Sequence, residues 1–216
     1  MINKKIIRKS SVVLLLYIVF LSGGALFSHA QSLNYPSWKV VNKDDGIQVF
    51  TRQRNNSAIK EIRITCTVKT TMEHMNEFLS NASMYKEWVY KCDSSYQIEV
   101  LSPQDFRYYV TFDFPFPFDD RDLMVHSQHW IDSTDGVYHS ISKAEKDTVL
   151  VSDGFVRINE FESTWDISPR PNGELFIDYK ALSNPGGDIP TWLVNLFIAK
   201  GPLETMKRFR QSVEEN

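Results

Sequence analysis

Arg121 and His129 are the side chains best placed by type and spacing to do chemistry. They fall in a segment that alternates Arg121, Leu123, Val125, Ser127 and His129 on one face with Asp122, Met124, His126, Gln128 and Trp130 on the other, the period of two expected of a strand. With the first set turned inward, a guanidinium and an imidazole sit among apolar neighbours. A buried guanidinium must be paired, and its planar fork suits a carboxylate, phosphate or hydroxyl group. The alternative is a turn clamp with Asp120 or Asp122. His126 and His129 could suggest a metal pair, but a spacing of three on a strand sets them on opposite faces. His139 belongs to a neighbouring strand and His74 to a distant helix, so a three-ligand zinc site is not expected. Asn159 and Tyr179 keep parity with Phe161 and Trp165 and with Ile177 and Ala181, and are expected to line the same interior. Trp192, Leu196 and Phe197 share a stripe near the C-terminus with Leu203, Met206 and Phe209 and would close over a molecule held beneath them. No Gly-rich phosphate loop, nucleophile elbow or pair of catalytic carboxylates is present, and nothing calls for a cofactor.

The elements that must position these residues are mostly strands. After Trp38, Asp45-Gly46-Ile47-Gln48-Val49-Phe50 reads as a turn entering a strand. Ile62, Ile64, Cys66 and Val68 alternate with polar residues in the next one. Thr70 and Glu73 form a capping box for a short helix carrying Met72, Met75, Phe78 and Leu79, and a second short helix holds Met84, Tyr85, Trp88 and Val89. Strands follow at 94–101, 106–114, 121–131, 137–142, 149–167 (with a break at Asp153-Gly154) and 174–182, with Asp135-Gly136 and Asn172-Gly173 as hairpin turns. Asp188 and Pro190 open a long helix to about Val213, and Gly201-Pro202 inside it is expected to kink or divide it. This is an α+β layout: a curved antiparallel sheet, two short helices after the second strand, and a long C-terminal helix across the open face.

Length and charge narrow the function. The 216 residues suit one domain, with 42% hydrophobic, 24% charged and 28 aromatic residues, which is ordinary globular composition. Lys4, Lys5, Arg8 and Lys9 precede an apolar run from Val12 to Leu21, and Ser28-His29-Ala30 offers small residues before a cleavage point. Residues 1–30 are therefore expected to be a signal peptide, and 31–216 a single exported domain, periplasmic or secreted. The leader holds four basic residues and no acid, so 20 basic residues face 27 acidic ones in the mature chain, a net charge of −7. An acidic chain with no basic stripe does not suit nucleic acid. Two cysteines, Cys66 and Cys92, supply no disulfide scaffold, and a buried free Cys66 is expected.

Trp38 with Asp45–Phe50, Tyr85-Lys86-Glu87-Trp88, Pro115-Phe116-Pro117-Phe118-Asp119-Asp120-Arg121-Asp122, and Asn184-Pro185-Gly186-Gly187-Asp188-Ile189-Pro190-Thr191-Trp192 followed by Gly201-Pro202 and Thr205 occur in this order. Over residues 36–213 the chain resembles the START domains, the steroidogenic-acute-regulatory-protein-related lipid transfer family. The resemblance implies a helix-grip fold with a tunnel between sheet and last helix that holds a lipid or other hydrophobic small molecule. It implies a non-enzymatic carrier, monomeric and touching membranes transiently, with Arg121 pointing into the tunnel. Two other readings stay open: a cyclase- or hydratase-like enzyme using His129, Tyr179 or Arg121 on a polyketide-like substrate, and a ligand-free interaction module whose aromatics fill the tunnel.

Overall fold

Alternating apolar residues build most of the structure. In the computed structural model the described residues are 36–54, 59–146 and 154–214, with backbone only at 191, 192, 195–197 and 199. The expected leader, residues 1–30, lies outside them, and so do the side chains of Trp192, Leu196 and Phe197.

Ten strands among the described residues form one sheet. They are β1 (Lys39–Asp44), β2 (Ile47–Gln53), β3 (Lys60–Val68), β4 (Cys92–Ser102), β5 (Asp105–Phe112), β6 (Asp120–Ile131), β7 (Tyr138–Ala144), β8 (Phe155–Arg157), β9 (Glu160–Pro169) and β10 (Leu175–Asn184). Their order is β1-β2-β3-β10-β9-β7-β6-β5-β4, all antiparallel, while the short β8 pairs in parallel with the start of β6. The helices are α1 (Met72–Ser80), a 3-10 turn (Ala82–Met84), α2 (Tyr85–Trp88) and α3 (Thr191–Glu214).

The α+β fold is the one expected, with differences of detail. The strand β1 precedes the anticipated ones, so the short helices follow the third strand. Its residues are nearly all exposed, and the polar Asn42-Lys43-Asp44 run carries no alternation to betray it. The α1 cap is Thr71 rather than Thr70: its side chain accepts from the His74 N–H at 3.1 Å. Of the stretch read as strand over 149–167 with a break at Asp153-Gly154, residues 149–153 lie outside the described residues, and the rest breaks after Arg157, where the chain leaves β6 and joins β7 as β9. Pro202 does not divide α3, although it supplies no N–H for the Ile198 carbonyl. Gly201 faces the Tyr90 ring, where a Cβ would make contact at 3.4 Å.

The distal half of α3 is fixed to the sheet. Leu203, Met206, Phe209 and Val213, spaced three or four residues apart, join the buried core with Ile47, Val49, Ile64 and Cys66. Phe209 meets Trp88 at 5.2 Å, Trp165 at 5.2 Å and Phe78 at 5.5 Å between ring centroids, joining helix, sheet and the short helices. Around this hub, Lys207 pairs with Asp44, Arg210 with Asp45, and Glu214 accepts from the Lys69 N–H. Arg208 lies over the Tyr90 ring. Both cysteines are free, and burial pushes each thiol up to about 12. At the far edge, β4 pairs with β5 through three register shifts.

Candidate functional site

Between the inward face of the sheet and the proximal half of α3 lies a cavity of about 300 Å³, at the small end of ligand-binding cavities. Val110, Phe112, Leu123, Ile158, Phe161, Trp165 and Ile64 give it apolar walls, and Ile189, Val194, Ile198 and Pro202 face it from the segment above. Lys60, exposed, is the charged residue on the wall among the described residues.

The register of three neighbouring strands sets a row of hydroxyls into this wall. Ser127 on β6 is opposite Ser142 on β7, and Ser142 is opposite Ser163 on β9. Ser140, two residues from Ser142, is opposite His129 on one side and Trp165 on the other. Ser127, Ser140, Ser142 and Ser163 are all buried, and Ser127 Oγ lies 2.9 Å from Ser142 Oγ. Three phenols join them. Burial pushes the Tyr179 hydroxyl up to about 12 against a hydrogen bond with Ser163 that lowers it. Burial likewise raises Tyr108, opposed by Ser142, and Tyr138, opposed by Ser140. The seam is therefore uncharged across the physiological range, and each hydroxyl can both donate and accept.

Among the residues expected from sequence, Tyr179 stands on this wall, its ring 4.5 Å from Trp165. His129 faces inward as expected but stacks on Tyr138 at 5.4 Å, beside rather than on the cavity wall, and burial lowers its pKa. Asn159 does not line the cavity. The break between β8 and β9 leaves it exposed, its amide donating to the Arg157 carbonyl at 3.3 Å, and Ile158 takes the inward position.

Arg121 is buried, 2% exposed, yet it is not a wall residue. Its Nε–H donates to the Pro185 carbonyl at 2.9 Å, Nη2 to Gly186 at 3.2 Å and Nη1 to Asp119. Its face covers Phe114, 4.4 Å from the ring centre. Gly186 and Gly187 both adopt positive φ, the left-handed region that glycine enters without strain. A Cβ on Gly187 would come within 3.3 Å of the guanidinium. The arginine and the two glycines thus fix the turn from which the chain enters α3. The clamp anticipated through Asp120 or Asp122 is not formed. Asp120 accepts from the Phe114 N–H at 2.9 Å, while Asp122 accepts from Arg157 at 2.8 and 2.7 Å and from the Tyr109 hydroxyl at 3.0 Å.

Ser127 is legible from sequence as an inward residue, but Ser140, Ser142 and Ser163 are not, because serine ordinarily reads as a solvent-facing residue. The signal for the row is parity: Ser127 shares a face with Leu123 and Val125, and Ser163 with Phe161 and Trp165. No cluster of three metal-ligating side chains occurs among the described residues.

The START domain family pattern matches residues 25–216. The chain belongs to the START domain family. This START domain is 25% identical to an uncharacterized protein of Pseudomonas aeruginosa over 193 residues, covering 88% of this chain and 94% of that one. Its fold is similar to a STAR-related lipid transfer protein fragment from Xanthomonas axonopodis (TM-score 0.75, 24% identity, 82% of this chain and 99% of that chain). It is also similar to human StAR-related lipid transfer protein 5 (TM-score 0.70, 14% identity, 95% and 94%).

Proposed function

We propose that this START domain is a non-enzymatic carrier that holds one lipid or other hydrophobic small molecule in the cavity beneath α3 and passes it between membranes after export from the cytoplasm. The observation that carries this reading is the 300 Å³ of space left open between sheet and helix, in a fold shared with proteins named for lipid transfer. The aromatics that could have filled it pack against one another around Phe209 instead, which favours the carrier over a filled module. Desolvation supplies the driving force. A sixteen-carbon chain exposed to water costs roughly 13 kcal/mol at about 0.8 per methylene, and an apolar wall removes most of that cost. Phe116, 97% exposed between two prolines, offers an apolar contact for a membrane surface.

Native mass spectrometry of the exported chain, purified without detergent, tests the carrier. A stoichiometric adduct released by organic solvent is the expected result. An apo mass that persists after incubation with total membrane lipids would refute it. Sequencing the same material from its N-terminus checks the export reading, which requires Gln31 as the first residue.

A further inference from the structure

Resting on the carrier reading, the geometry points to an uncharged ligand bearing a hydroxyl or carbonyl oxygen that seats on Ser127, Ser142 and Ser163, with a single chain in the apolar remainder. A hydrocarbon alone gives no use to serines at three successive inward positions on adjacent strands, where alanine would remove the desolvation penalty of the hydroxyls. A carboxylate or phosphate seated there would be buried with no cation beside it, which is unfavourable. Arg121 gives its N–H groups to the carbonyls of the 185–186 turn and Asp119. Lys60 stands one inward position beyond Ile62, and Ile62 is reached from Ser163 only by crossing Ala181 on β10, two strand spacings or about 10 Å away. Hydroxyls rotate and can donate or accept, so the seam fits an alcohol or a carbonyl equally. The small volume suits one chain rather than the two of a phospholipid.

The experiment compares 1-dodecanol, dodecanoate and dodecane, equal in chain length, by titrating the exported full chain and following tryptophan fluorescence, to which the wall residues Trp88 and Trp165 contribute. The expected result is dodecanol binding about tenfold or more tighter than either of the others. Ser142→Ala, Ser163→Ala and the ring-preserving Tyr179→Phe should each lower dodecanol affinity about threefold to tenfold and leave dodecane unchanged. Dodecanoate binding as tightly as dodecanol, or dodecanol affinity unchanged in all three variants, would overturn the proposal while leaving the carrier reading intact. Failure of all three probes would overturn it as well, and together with an apo mass from the native preparation would remove the carrier reading too.

Discussion

At the start of β6, Arg121 gives its guanidinium N–H groups to the carbonyls of Asp119, Pro185 and Gly186. Three inward positions along the same strand, Ser127 shares its hydroxyl with Ser142 and borders the cavity. Both residues are buried and polar, and alternation turns both the same way. The arginine is closed: its charge is consumed by backbone acceptors, and what it determines is the path into α3. The serine row is open: Ser127 and Ser142 share a hydrogen bond, yet the hydroxyls of the row can exchange partners with a visiting oxygen. Burial of a polar group therefore does not mark a binding site by itself. What marks it is hydrogen-bonding capacity that can be re-assigned, next to unfilled space.

The largest effect should come from the closed member. Arg121→Leu leaves several turn carbonyls without a donor and should destabilise the fold by about 3 kcal/mol, at about 1–3 per unmet group. Urea denaturation measures this directly, and a loss below about 1 kcal/mol would mean that the turn holds without its clamp. Ser163→Ala, in the open member, should cost only about 1 kcal/mol of stability, because neighbouring hydroxyls re-pair. A loss as large as that of Arg121→Leu would erase the distinction.

The contrast also explains how much was legible in advance. Alternation in Ile62–Val68 and in Arg121–His129 is a strong periodic signal, and it located β3, β6 and the inward face. Glycine and proline punctuation located the hairpins and α3. The fate of the Arg121 side chain could not be read this way, since two of its three acceptors belong to residues 185 and 186, distant in sequence. Asn159 was misread because parity counting assumes an unbroken strand, and a single irregular step at 158–159 inverts the count. The serine row needed the register of β6, β7 and β9 together; no single strand displays it.

The smallest effect concerns His129, one inward position beyond Ser127 on the same strand. Burial lowers its pKa from the ordinary 6.5, so below that pH the unfolded chain takes up a proton that the folded chain resists. Its neutral form supports the fold fully above about pH 6.5, and stability should decline as the pH falls from there toward the folded-state value. In His129→Phe, thermal melting points recorded across this range should decline less steeply than in the parent. Equal slopes would assign the dependence to other groups.

The three register shifts between β4 and β5 bear on how the molecule survives at high concentration. The strand β4 forms one margin of the sheet, and it exposes Tyr96, Ile98, Val100 and Leu101. A straight margin with those side chains would template another chain's backbone, as edge strands do in fibre growth. Each irregularity bends the strand and adds local twist, so the run of outward N–H and C=O groups falls out of step with any regular incoming strand. Greasy as it is, that margin makes a poor seed.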